Sequence, residues 1–209
     1  MKTSIVLSLA AAAITSAQNF NITTSPFYLF VASEDGGVNT TLSACHVGAA
    51  LESLCLSDGD YGSDPTPLHA AEFQFNTSAY AQTPTPPALE VGILHWWLHS
   101  SCGTAGSCQF PSSAAFNYDA TTNLALPIIS PGDDRATLLS FDAQNDLTLQ
   151  QYGPGTEYAY TGSLQTFYRW YACKTYYGSY NYMSLAWGLG ASQPDNPSCV
   201  AVNVTRVFV

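Results

Sequence analysis

Basic side chains are nearly missing: five lysines and arginines face fifteen aspartates and glutamates in 209 residues, a formal net charge of −10. Such a chain cannot attract nucleic acid by releasing counterions, and phosphate or an anionic membrane surface repels it. Nucleic-acid binding and docking to anionic membranes are therefore set aside first. Long apolar runs are missing as well, since the stretch Ile5 to Ile14 is too short to cross a bilayer. Neither a Gly-x-Ser-x-Gly elbow nor a Cys-x-x-Cys knuckle occurs, which removes the usual signatures of a serine hydrolase and of a zinc ribbon. With 46% hydrophobic and 13% aromatic residues but only 10% charged ones, the chain reads as one packed domain rather than a disordered polymer.

What is present points to export. Met1-Lys2-Thr3, the apolar stretch behind it and the small residues Thr15-Ser16-Ala17 read as a signal peptide over residues 1–17, leaving one β-rich secreted domain over 18–209. Asn21, Asn39, Asn76 and Asn203 each open a glycosylation sequon, whereas Pro197 blocks the one at Asn196. Cys45, Cys55, Cys102, Cys108, Cys173 and Cys199 make an even set, which in an oxidising compartment predicts disulfides. Local pairing is expected, 45 with 55, 102 with 108 and 173 with 199, and thiols so joined are unavailable as zinc ligands or nucleophiles. The final residues alternate like a closing strand, with no polar spacer and apolar tail behind them, so no lipid anchor is expected.

Helical periodicity is scarce. Strand-like runs rich in Tyr, Phe, Val, Thr and Trp recur near Phe27 to Ser33, Glu72 to Asn76, Glu90 to His99, Ala114 to Tyr118 and Leu124 to Ile129. Others follow near Thr137 to Asp142, Leu147 to Tyr152, Phe167 to Cys173, Ser184 to Gly188 and Val200 to Val209. The clearest hairpin joins Leu138 to Asp142 with Leu147 to Leu149 through Ala143-Gln144-Asn145-Asp146, because Asn and Asp accept the left-handed backbone of a tight reversal. Cys45 to Cys55 reads either as a short helix or as a strand pair around Gly48. The prolines of Asp64 to Pro67 and Thr83 to Pro87 predict surface loops. Together these predict an all-β, disulfide-linked antiparallel β-sandwich, with a closed β-barrel or β-trefoil as the alternative.

Three groups of residues invite a chemical reading. His95 and His99 have the spacing of helical metal ligands, but on a strand they stand about 13 Å apart, so no metal site and no cofactor is expected. Glu90, Asp119, Asp133, Asp134, Asp142, Asp146 and Glu157 offer carboxylates for glycoside hydrolysis, yet most adjoin turn residues and are expected to cap loops; no catalytic residue is assigned. The third group is the aromatic run from Tyr152 to Trp187, which holds nine of the thirteen tyrosines. In Phe167 to Cys173 both alternating faces are bulky, which predicts a strand covered on both sides. Beyond it, Lys174 to Tyr182 reads as a turn around Gly178 and Ser179 with exposed tyrosines. Tyr176, Tyr177, Tyr180, Asn181 and Tyr182 are therefore the candidate ligand-binding residues, flat rings with polar tips suited to sugar faces.

The order of Phe27-Tyr28-Leu29, then Phe141 to Leu149, then Cys173, Trp187, Cys199 and Arg206-Val207, resembles small secreted cell-wall proteins of filamentous fungi, including the phialide-development (PhiA-like) wall proteins. The resemblance implies a secreted, glycosylated, wall-associated β protein without a catalytic set. The expected role is thus a non-catalytic wall or surface protein whose partner is cell-wall polysaccharide or a host surface component. The alternatives are a secreted effector acting on a host and a carbohydrate-active enzyme.

Overall fold

A computed structural model describes residues 20–57, 59, 61–63, 68–81, 83–103, 106–153 and 164–209. The expected signal peptide, Glu157 and the prolines of residues 64–67 lie outside them. In chain order the strands are β1 (Ile22–Thr23), β2 (Phe27–Ala32), β3 (Asn39–Gly48), β4 (Leu51–Leu56), β5 (Gln74–Thr77), β6 (Ala88–Ser101), β7 (Ser107–Asp119) and β8 (Leu124–Pro131). They continue as β9 (Leu139–Asp142), β10 (Leu147–Tyr152), β11 (Leu164–Phe167), β12 (Trp170–Tyr177), β13 (Tyr180–Gly188), β14 (Val200–Ala201) and β15 (Asn203–Phe208). The all-β antiparallel class expected from the sequence is what forms, and the local disulfides Cys45–Cys55, Cys102–Cys108 and Cys173–Cys199 are all in place. The layers of the expected sandwich, however, belong to one continuous sheet.

Its main path runs β11-β10-β9-β6-β7-β8-β13-β4-β3-β2-β15, eleven strands curled strongly enough for distant parts to meet. Phe27 exchanges two backbone hydrogen bonds of 2.9 Å with Phe73, just ahead of β5, and β5 pairs with β6. The concave side holds the main core, with Phe27, Leu29, Leu42, Leu54, Phe75, Phe141, Trp170 and Trp187 among its buried members. Each such side chain contributes about 1.5–3 kcal/mol by leaving water.

The β12–β13 hairpin divides this core from a second one. Trp170, Ala172, Leu185 and Trp187 point into the first, whereas Cys173, Tyr182 and Ala186 join Cys45, Val47, Cys55 and Ile128 in the second. Alternation along a strand sends successive residues to opposite faces, so the double coverage expected for Phe167 to Cys173 is realised from Trp170 onward; the run itself is broken at residues 168–169, where Phe167 ends β11 and Tyr168 is exposed. Residues 174–177 and 180–182 extend the hairpin rather than forming the expected loop, and only Gly178 and Ser179 turn, with φ of +58° and +79°. The helical option for Cys45 to Cys55 is not taken: β3 and β4 form a hairpin there. A helix would separate the two cysteines by about 15 Å, beyond the reach of a disulfide.

The curl is sealed where β15 meets the β9–β10 hairpin, which forms as predicted around Asn145, with φ +66°. Arg206 points inward, pairs with Glu90 and lies over the rings of Phe141 at 4.2 Å and Phe208 at 5.1 Å. Its backbone N–H and its Nε each donate, at 3.0 Å, to the carbonyl and side-chain oxygens of Asn145. Thr205 donates to Asp146 at 2.5 Å, and Asp142 accepts the N–H groups of Gln144 and Asp146, each at 2.9 Å.

Arg206→Met strands the Glu90 carboxylate beside phenylalanine rings and should lower stability by about 2 kcal/mol in urea unfolding, with part regained in a Glu90→Gln, Arg206→Met double variant. In the hairpin turn, a Cβ at Gly178 would lie 2.2 Å from the Val47 carbonyl oxygen, so Gly178→Ala should lower the melting temperature clearly. Ser179→Gly relieves a left-handed non-glycine residue and should stabilise by up to about 1 kcal/mol.

Candidate functional site

The hairpin tip separates the five candidate residues by strand parity. Tyr176 pairs with Asn181 on one face, while Tyr177 pairs with Tyr180 and Thr175 with Tyr182 on the other. The second set packs against the disulfide-bearing core. Tyr182 is 3% exposed and its hydroxyl donates to the His46 carbonyl at 3.1 Å, and the Tyr180 ring meets His46 edge-on at 5.2 Å. Tyr177, Tyr180 and Tyr182 are thus placed as packing residues, and Tyr176, at 69% exposure, faces outward. Of the other tyrosines in the aromatic run, Tyr158 and Tyr160 lie outside the described residues.

Tyr176 and Asn181 share their face with Lys174 and Met183. Here a cavity of about 510 Å³ opens, floored by Leu56 and Met183 and walled by Val38, Asn39, Thr40, Tyr61 and Lys174 and the glycines 36, 37 and 59. The glycines bring backbone rather than side chains to the wall. Segment 61–63 is laid along β13 by three hydrogen bonds: Met183 N–H to the Tyr61 carbonyl, Ser63 N–H to the Asn181 carbonyl, and Asn181 N–H to the Ser63 hydroxyl. This holds the Tyr61 ring beneath the Lys174 ammonium, 5.0 Å from its centroid, with the Tyr61 hydroxyl donating to Asn181 Oδ1 at 3.3 Å. A second cavity of about 330 Å³ shares Lys174 in its lining and is otherwise bordered by Tyr176, Asn196, Asp119 and Thr121, with Leu124, Leu126 and Thr175 from the other face of the hairpin. Hydrogen bonds from the Thr121 and Thr122 hydroxyls hold the Asp119 carboxyl below its ordinary pKa.

Tyr61 had no signal of its own in the sequence. It stands alone among Asp and Gly residues, and its partner Asn181 is 120 positions away.

The remaining candidates occupy other roles. His95 and His99 lie on β6, as the strand reading required; His95 is buried, and burial lowers its pKa, while His99 hydrogen-bonds Gln109 at 2.7 Å. Among the described residues no cluster of three or more His, Cys, Asp or Glu could hold a metal. Glu90, Asp142 and Asp146 belong to the seam, and Asp142 also accepts the Tyr168 hydroxyl at 2.8 Å. Burial, followed by that hydrogen bond, pushes the Tyr168 pKa up to about 12. Asp133 and Asp134 are exposed after β8. Among the sequons, Asn21, Asn39 and Asn203 are exposed, and Asn76 is half-buried.

The molecule is therefore a disulfide-linked, single-sheet β domain of the kind that matures in an oxidising compartment, and no helix among the described residues is long and apolar enough to cross a membrane. The family model of a domain of unknown function, DUF7907, matches residues 24–208, and the chain belongs to that family. No curated protein and no solved structure matches the chain significantly.

The two faces of the hairpin tip differ measurably. Tyr182→Ala should cost about 3–4 kcal/mol in denaturant unfolding. Tyr176→Ala should leave stability within about 0.5 kcal/mol of the parent.

Proposed function

We propose that the chain is a secreted, wall- or surface-associated protein that binds polysaccharide without cleaving it, at the two cavities that share Lys174. The observation that carries this reading is the arrangement of Tyr61: a ring with a cation on its face and its hydroxyl tied to Asn181, at the mouth of an open cavity with an apolar floor. Sugar rings present apolar C–H faces bordered by hydroxyls. An aromatic ring and Met183 suit the former, while Asn181, Thr40 and Lys174 suit the latter.

Lys174 is common to both cavities, and Tyr61 and Tyr176 lie in the first and the second, so a chain-like ligand that reaches both would meet an aromatic residue in each. The strongly acidic composition disfavours polyanionic glycans and favours neutral ones. The resemblance to fungal wall proteins supports the same setting. The carboxylates of the seam support a binding role over hydrolysis, because Glu90, Asp142 and Asp146 already serve Arg206, backbone amides and Thr205.

The test is retention on insoluble β-glucan and on chitin. The parent protein should sediment with at least one, and Tyr61→Ala or Tyr176→Ala should each weaken binding about five- to tenfold, the loss of about 1–1.4 kcal/mol of ring contact. Unchanged retention in both variants would refute the groove. In the producing organism the tagged protein should stay in the wall pellet until extracted; recovery only in the culture filtrate would favour the effector reading.

A further inference from the structure

The sequons at Asn39 and Asn203, far apart in the chain, are neighbours in the sheet. Asn203 on β15 and Asn39 on β3 both pair with Ala32 of β2, one from each side. One step along the same face, Thr205 and Thr41 both pair with Phe30. Because β15 and β3 each run antiparallel to β2, they run in the same direction, so two Asn-x-Thr triplets lie side by side in matching orientation. Strand spacing puts the two asparagine backbones about 10 Å apart. Leu29, Val31 and Val204 carry the opposite parity and point into the core, so this row faces outward. Between the two triplets stands Phe30, 41% exposed, continued by Val207 at 47%. An unshielded aromatic strip on a sheet face is a site for unwanted association.

Asn76 offers the contrast. It lies inside the sheet between Thr23 of β1 and Ile93 of β6, its Oδ1 is buried without a hydrogen-bond partner among the described residues, and Ser78 of its sequon is buried too. A glycan on its Nδ2 would have to emerge beside a buried amide oxygen and a buried Ser78, between two paired strands.

We propose that Asn39 and Asn203 carry N-linked glycans that together cover the Phe30 strip, and that Asn76 stays unmodified in the folded protein. In the transfer, the asparagine Nδ2 bonds to the anomeric carbon of an oligosaccharide whose bond to a lipid pyrophosphate breaks; the amide loses one proton and the lipid pyrophosphate leaves. Asn39 also borders the larger cavity, but the test reads glycan occupancy and surface exposure directly and so does not depend on what the groove binds.

The experiment uses the full chain secreted from a eukaryotic host, released from its glycans by an amidase in heavy-oxygen water and mapped by peptide mass. Label is expected at positions 39 and 203 and not at 76. Absence of label at 39 or 203, or equal label at 76, would overturn the assignment. Secreted Asn39→Gln, Asn203→Gln protein should bind an apolar dye more strongly and elute from gel filtration at a larger size. Adding Phe30→Ser should reverse both changes. Dye binding and elution unchanged from the parent would refute the covering role.

Discussion

The fold depends on a seam between β15 and the β9–β10 hairpin, and one guanidinium lies at its centre. Arg206 sits on the inner side of β15, over Phe141 and Phe208, with Glu90 as its counter-charge and Asn145 accepting from both its backbone and its side chain. A guanidinium is weakly hydrated and planar, so it tolerates ring faces where an ammonium would lose too much solvation. β15 is the last strand of the sheet path, and here its outer edge gains a bridge between Thr205 and Asp146 and a backbone hydrogen bond to Asn145, which covers part of an edge that would otherwise invite association. The turn that meets it is equally specified: Asn145 takes the left-handed conformation, Asp142 satisfies two of the turn's amides, and Asp146 holds Thr205.

Scarcity of cations makes the places of three of them telling. Arg206 closes the seam, Arg169 lies 4.6 Å from the centre of the Phe167 ring, and Lys174 lies over Tyr61. In a protein with net charge −10, a cation has many carboxylates to choose from, yet Arg169 and Lys174 are placed on rings. Ring faces offer a modest attraction that does not require burying a second charge. At the groove this leaves Lys174 free to donate hydrogen bonds, because an aromatic partner does not saturate an ammonium as a carboxylate would.

How much of this could be read from the chain follows from the range of the interactions. The all-β class, the local disulfides and the Asn145 hairpin rest on alternation, cysteine spacing and turn chemistry, all written within about ten residues or a loop's length. The ambiguity at Cys45 to Cys55 was resolvable in principle, since the pairing of those two cysteines is incompatible with a helix between them. The tyrosines at the hairpin tip were harder. Composition located the cluster, but assigning Tyr182 inward and Tyr176 outward requires knowing that the turn has two residues, which fixes the register of every position above it. Tyr61 and the Asn39–Asn203 neighbourhood were inaccessible because they arise from pairings across 120 or more positions, set by the curl of the sheet rather than by any local pattern.

The same curl explains why the groove is rigid enough to recognise anything. The backbone of Lys174 is fixed on both sides of its peptide plane: its N–H donates to the Ser198 hydroxyl and its carbonyl accepts from Asn196, each at 2.9 Å. Segment 196–199 is itself tied to β12 by Cys173–Cys199, a bridge between residues 26 apart whose loop closure is worth about 3.5 kcal/mol in the chain-entropy account. On the other side, segment 61–63 is fastened along β13, so both walls that carry Tyr61 and Lys174 are anchored to the one hairpin. Ordering a flexible side chain on binding costs about 0.5–1.5 kcal/mol, comparable to what one sugar-to-ring contact returns. A shallow, open site can therefore hold a polysaccharide only if that ordering is already done by the fold, and here the disulfide, the extra strand segment and the cation over Tyr61 all act to that end.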